Sequence, residues 1–416
     1  MLKEKSLSFV NKIIIFSLFL VLFIDGLGIS LTLPLFADLF LIPEKSILPF
    51  TSTDDVRNFM YGLSLMSFAL GMFLASPVLG QLSDRFGRKK ILVLSLLGTC
   101  AGYIMSGIGV YVLDPQLFIL GRVIDGLSAG SIPIAQAAIS DVSSKENKAG
   151  NMGLILFAVT SGYILGPLCS ELLVNVLGYA LTAPFYATAL LSLFSLLFLL
   201  PMQETTRISD THKIKWLSAF NIFTNLNNIK GALLVLGGFL FFQLSWTMYF
   251  QFLPHVLTHL GVPEITTRIL ASIGLGMALS FCLLTRFFQS RITAEAGSQI
   301  SILLILLCFL TLCLIPFSAL LYFCTCFLSA LSYGLGYSFL LVMLSQKVPP
   351  ENQGLVMGLA ASISAFSSVV TSLSGMALVN YHSTLILYFS VNCMLCALSI
   401  LFLSSYVGTN RVLKRG

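Results

Sequence analysis

Apolar residues run through this chain in blocks of about twenty, and polar residues gather in the gaps between them. A helix needs ~20 mainly apolar residues to cross ~30 Å of hydrocarbon, so block length is the first measure of what each can do. Twelve blocks qualify, at roughly 12–36, 58–80, 91–110, 116–139, 151–173, 182–200, 231–254, 266–285, 298–316, 319–345, 354–379 and 384–406. The pattern predicts an all-α, polytopic membrane protein with twelve transmembrane helices. The first block is too long for a signal-peptide core and no A-x-A site follows it, so it is expected to be retained as span 1.

Composition agrees with the pattern. The 416 residues are 57% hydrophobic and only 10% charged, against roughly 25% charged in a soluble domain, so a water-soluble core is excluded. Lys and Arg then fix orientation, because short cytoplasmic loops carry their excess. Of 23 basic residues, 19 fall on one side. Lys45, Arg57 and Arg268 lie opposite, and Arg122 lies within a span. Both termini are expected in the cytoplasm.

The longest polar stretch between spans, 201–230, has six spans before it and six after. A repeat agrees: "ENKAGNMGL" at 146–154 and "ENQGLVMGL" at 351–359 share five residues at an offset of 205. "LGM" recurs at 70–72 and 275–277 with the same offset. This predicts a six-helix half at 1–200, a cytoplasmic loop at 201–230 and a second half at 231–416. Parallel six-helix repeats are a transporter build, with substrate held between the halves near mid-bilayer.

Charge is concentrated at one point, "GQLSDRFGRKK" at 80–90, between spans 2 and 3. Four cations there orient the chain at the cytoplasmic interface. Gly80 and Gly87 are expected to allow close approach and a tight turn, and Asp84 to pair with Arg85, Arg88 or a helix end.

That stretch resembles the loop signature of the major facilitator superfamily. "IDGLGISLTLPLF" (24–36) resembles the first span of its drug:proton antiporters, especially tetracycline exporters. "GRVIDGLSAG" (121–130) resembles their fourth-span arginine motif, and Gly153, Gly162, Gly166 and Pro167 have the spacing of their fifth-span antiporter motif. "PPENQGLVMGL" (349–359) resembles the start of their span 11.

The resemblance implies a secondary transporter in a plasma membrane of bacterial inner-membrane type, exporting small hydrophobic or cationic molecules against protons. A proton-coupled carrier of an amino acid, sugar, nucleoside or siderophore is the alternative. It implies a clasp in which Asp84 and Arg88 bind across the boundary between halves and hold the cytoplasmic side closed. It also implies a seal between spans 5 and 8 built on Gly162 and Gly166. Ser170 and Glu171 stand where that motif should end in Gly-Gly. Tetracycline exporters carry acids in spans 3 and 9 that are absent here, so tetracycline itself is disfavoured. The loop after span 8, "TRFFQSRITAEAG", keeps basic residues but loses the glycine–aspartate pattern.

Ionisable groups inside spans are costly, about 2.5–3.5 kcal/mol even on lenient scales, so each is a functional candidate. Asp25 lies mid-span 1, where desolvation penalises its charged form and suits it to take and release a proton; a structural hydrogen bond or a contact to a substrate cation would use the same carboxylate. Arg122 and Asp125 are three apart, on one helix face, where they can compensate each other as a static ion pair; the resemblance implies that Arg122 handles protons, which would make the pair a relay. Glu171 lies near the outer end of span 5 and is read as interfacial.

Span 7 offers "FFQLSWTMYFQF" (241–252), whose Gln243, Trp246 and Tyr249 could wall a cavity for aromatic or cationic ligands, although such stripes also serve packing or face lipid. His255 and His259 are one turn apart, with Glu264 nearby, at the outer end of the span, and no metal site is assigned to them. The nine cysteines all lie in spans and are read as small hydrophobes.

There is no G-x-x-x-x-G-K-[ST] phosphate loop, and no nucleophile–base set or histidine pair at mid-span, so neither an ATP-driven pump nor an enzyme is expected. The expected partners are a small-molecule substrate, protons and the bilayer, with no nucleic acid and no cofactor, and the chain is expected to act as a monomer.

Overall fold

The computed structural model describes residues 2–143, 148–178, 180–205, 232–347 and 353–413, with no strand among them. The central loop from 206 to 231, including His212, and the polar starts of both repeat segments lie outside these residues. Among the described residues eleven stretches are long and apolar enough to cross a membrane, and Ala183–Leu199 is a twelfth, shorter apolar helix of 17 residues. At 1.5 Å per residue that helix is about 26 Å long, near the lower limit for crossing. The chain divides into two compact units, Met1–Ser218 and Ala219–Gly416.

The first unit contains α1 (Leu2–Thr32), α2 (Leu35–Phe40), α3 (Asp54–Phe86), α4 (Arg88–Tyr111), α5 (Pro115–Ser128), α6 (Ser131–Val142), α7 (Lys148–Glu171) and α8 (Ala183–Leu199). Two predicted spans are broken. Span 1 becomes α1 and α2 because Pro34 has no N–H to continue the ladder. Span 4 becomes α5 and α6 with a break at Ala129–Gly130. Asp114 caps α5, its carboxylate accepting from the Gln116 and Leu117 amides at 2.9 and 3.2 Å, with Pro115 at the first helical position.

The second unit contains α9 (Leu233–His259), α10 (Thr266–Leu279), α11 (Thr285–Gln289), α12 (Ala294–Leu314), α13 (Ala319–Gln346), α14 (Gln353–Tyr381) and α15 (Leu385–Leu413). A π-helical turn, Ser280–Leu284, joins α10 to α11, and another, Leu172–Val176, follows α7.

Pairing repeats from one unit to the other. In the first, span 1 packs on spans 5 and 6, span 3 on spans 4 and 6, and span 2 on span 4; in the second, span 7 packs on 11 and 12, span 9 on 10 and 12, and span 8 on 10. The same pattern thus recurs six spans later. Each unit has its own aromatic centre. Phe118 on α5 takes Phe36, Phe40 and Phe185 edge-on at 5.5–5.6 Å, tying α2 and α8 to the N-terminal end of span 4. In the second unit Tyr333 on α13 stacks on Trp246 at 4.1 Å and on Phe242 at 5.1 Å.

Candidate functional site

The charged stretch between spans 2 and 3 contains almost no loop. α3 runs through Phe86, Gly87 alone makes the turn at φ 107°, and Arg88 begins α4. Only glycine enters that backbone region readily, and a Cβ on Gly87 would also strike the Glu204 carboxylate. Gly80 lies inside α3 and makes no turn, and among the described residues no atom lies within 4 Å of where its Cβ would stand.

Arg88 is 8% exposed and fully engaged. Its guanidinium meets Asp84 at 2.6 Å and Asp141 at 3.2 Å, and donates to the Ser83 hydroxyl at 2.7 Å. Its amide donates to Glu204 at 2.6 Å, and the Lys89 amide to the other Glu204 oxygen at 3.3 Å. Glu204 therefore caps the N-terminus of α4, where free N–H groups and the helix dipole favour an anion. These bonds all join parts of the first unit. Arg85 lies 5.2 Å from the Phe86 ring and, among the described residues, adds no ion pair to the network.

Asp141 and Glu204 were not singled out from the sequence; their signal is an acid at the C-terminal end of spans 4 and 6. The second unit carries an ion pair of reversed sign at matching places, Glu295 at the start of α12 and Lys347 after α13, 3.2 Å apart. Glu295 and Lys347 lie 207 and 206 residues after Arg88 and Asp141, close to the repeat offset. What reads in sequence as a degraded loop thus keeps a bridge between the same two spans.

Deeper in the first unit, the candidate ionisable residues come together. Asp25, partly exposed, accepts a hydrogen bond from the Ser131 hydroxyl at 2.6 Å. Arg122 and Asp125 are buried and paired at 2.7 Å. Aromatic rings enclose the guanidinium of Arg122, with Phe68, Phe36 and Tyr103 centred 4.6, 5.2 and 5.9 Å away. Asp25 lies within electrostatic range of Asp125, Tyr103 and Tyr163. The cluster therefore has one carboxylate sealed by an arginine and one partly open carboxylate held by a hydroxyl.

Small residues hold this arrangement. A Cβ on Gly26 would meet the Val159 carbonyl oxygen at 2.6 Å, and one on Gly166 would meet the Leu27 carbonyl oxygen at 2.7 Å and strike the Ser30 hydroxyl. Gly162 lies equally close to the backbone of Phe23 and Leu27, and Ser30 donates to the Gly162 carbonyl at 3.0 Å. The glycines that the resemblance assigns to a seal with span 8 thus have their Cβ positions filled by span 1. Pro167 continues inside α7, and the surroundings of Gly153 lie outside the described residues.

In span 7, Gln243 donates to the Ser364 hydroxyl at 2.6 Å and accepts from Tyr333 at 3.0 Å, while Trp246 stacks on Tyr333. Tyr249 is fully buried in the core of the second unit, its hydroxyl on the Cys326 sulfur at 2.9 Å and its ring 4.6 Å from Phe309. Gln243 and Trp246 are buried as well, so all three residues expected to wall a cavity pack within the second unit instead. Thr371 and Ser372 both donate to Gln251, at 2.9 and 3.3 Å, and the hydroxyl oxygens of Thr371 and Thr247 lie 3.4 Å apart. With Gln243 these make a polar ladder four residues apart, binding span 7 to span 11. The His255 and His259 rings lie 4.5 Å apart, and no group of three metal-binding side chains occurs among the described residues.

Comparison with known proteins gives this arrangement a family. The chain is 28% identical to the class C tetracycline resistance protein of Escherichia coli over 366 residues, covering 83% of this chain and 84% of that one. It is 27% identical to multidrug resistance protein 2 of Bacillus subtilis (strain 168), over 46% of this chain and 44% of that one. Among solved structures it resembles the D-xylose-proton symporter, with a TM-score of 0.73 and 16% identity over 94% of this chain and 96% of that one. It also resembles the human organic anion transporter MFSD10, at 0.66 and 19% over 94% and 99%. At those identities the structures speak for the fold. The family model described as Major Facilitator Superfamily matches residues 18–372, most of both units, and the chain belongs to that superfamily of membrane transporters.

Proposed function

We propose that this protein exports small hydrophobic or cationic molecules in exchange for protons by alternating access, with Asp25 as the group that binds the proton. One observation carries the reading: Asp25 is partly open and, among the described residues, holds a single hydroxyl donor, whereas Asp125 is sealed against Arg122. A carboxylate that must load and unload a proton needs access and no permanent counter-ion. The names of the E. coli and B. subtilis relatives support resistance to toxic compounds as the substrate class. Arg122 handles protons beside it, and the clasp at Asp84 and Arg88, whose bonds lie within the first unit, ties the ends of spans 2, 3 and 4 together while the transporter switches. The protein works as a monomer in a plasma membrane, with both termini in the cytoplasm.

The test is proton movement in energised inside-out vesicles challenged with lipophilic cations, antibiotics, sugars, nucleosides and amino acids. Collapse of the pH gradient by the cations or antibiotics is the expected result. A response confined to one metabolite class would replace this reading with a dedicated carrier.

The clasp makes a separate prediction. Arg88 keeps Asp141 and Ser83 when Asp84 is changed, and Asp84 is about half exposed, so its pair is worth up to about 1 kcal/mol. Asp84→Asn is expected to lower turnover about two- to fivefold and to leave substrate Kd within about twofold, measured by flux and equilibrium binding. Weakened binding with normal turnover would remove the clasp.

A further inference from the structure

The break in span 4 falls where an uninterrupted helix would be expected, deep in the first unit, and its residues account for it. Pro133 cannot donate to the Ala129 carbonyl, its helical acceptor four residues back. That carbonyl instead accepts from the Ser76 hydroxyl on α3 at 3.0 Å. Gly130 follows in tight quarters, where a Cβ would meet Leu79 at 2.7 Å and the Ser95 hydroxyl at 3.0 Å. α6 then begins at Ser131, whose hydroxyl donates to Asp25. The break thus brings the first residue of a twelve-residue helix, with its positive dipole end, to the carboxylate on span 1. An unbroken helix would have placed residue 131 elsewhere on its surface.

We infer that Ser131 is the positioning residue of the proton site: the broken span 4, held by Pro133, Gly130 and Ser76, sets the geometry and the proton affinity of Asp25. This rests on the reading of Asp25 as the proton-binding group. The other titratable groups within range of Asp25 are Asp125 on α5, paired to Arg122, Tyr103 on α4 and Tyr163 on α7. None of them reaches it by a hydrogen bond among the described residues, so Ser131 is the contact that a substitution can remove alone.

The experiment uses the full chain in proteoliposomes, with a substrate found in the vesicle panel as probe. Substrate-driven proton release is followed against pH in wild type, Ser131→Ala, Ser131→Thr and Asp25→Asn. Infrared difference spectra report the carboxyl stretch of Asp25, identified as the band missing in Asp25→Asn. Ser131→Ala is expected to displace the pH midpoint by about one unit, the scale of one hydrogen bond to a charged group, and to move the carboxyl band. Ser131→Thr, which keeps the hydroxyl, is expected to restore both. A wild-type midpoint and band in Ser131→Ala would overturn the inference while leaving Asp25 as the proton site. Coupled release surviving in Asp25→Asn would overturn the underlying reading and this inference with it.

Discussion

Asp25→Asn is expected to abolish substrate-driven proton movement while leaving the protein folded, inserted and able to bind substrate. The substitution keeps size and the capacity to accept from the Ser131 hydroxyl, so the local packing of Gly26 on Val159 and of Gly28 on Thr188 is undisturbed. What it removes is the ability to exchange a proton. Coupled export in vesicles should fall to the level of empty membranes. Substrate counterflow, which needs no net proton transfer, should persist. That pairing separates a coupling residue from a structural one, because a misfolded variant would lose both. Asp25→Glu, with a longer side chain and the same chemistry, is expected to keep part of the coupled flux. Undiminished coupled flux in Asp25→Asn would move the proton site elsewhere in the cluster.

Much of this was legible in the sequence because the solvent dictates it. A bilayer demands blocks of apolar residues long enough to cross it, and the twelve blocks correspond to the helices of the structure. Ionisable residues in such blocks are conspicuous for the same reason, so Asp25, Arg122 and Asp125 were identifiable, and the three-residue spacing of the last two is the observed ion pair. The breaks in spans 1 and 4 were less legible. Pro34 and Pro133 interrupt helices, yet Pro167 sits within an unbroken α7, so proline alone does not mark a break. At Ala129 the difference is tertiary: Ser76, more than fifty residues away, takes over the abandoned carbonyl.

Motif resemblance located residues better than it explained them. Gly80 belongs to the signature by position, yet no described residue crowds it, whereas Gly87 is required by its φ. Tyr249 shows a limit of periodicity. Its place on the span 7 stripe puts it on the same side of the helix as Trp246, but spacing cannot tell a face turned to the unit's own core from one turned to a cavity. Glu204 went unnoticed because its partners are backbone amides of Arg88 and Lys89, which no side-chain pattern advertises.

Arg122 and Asp125 carry the largest expected effect on stability. Each is buried, the pair is 2.7 Å apart, and the guanidinium lies among three aromatic rings, while its Nε has no hydrogen-bond partner among the described residues. Removing one member of a buried pair leaves the other charge uncompensated, at about 3–5 kcal/mol. Arg122→Gln is therefore expected to reduce folded yield and thermal stability in detergent sharply. Asp125→Asn is expected to do less, since the ring faces still hold the cation. The double variant Arg122→Gln, Asp125→Asn carries no buried charge at this pair and should recover most of the lost stability. Its transport then separates the two roles open to the pair. A static ion pair would return flux along with stability. The proximity of Asp25 and Asp125 favours the other outcome, a stable double variant that binds and exchanges substrate but does not couple it to protons. Thermal unfolding together with counterflow and coupled flux measures all three quantities on one preparation, and full recovery of coupled flux would reduce Arg122 to a packing role.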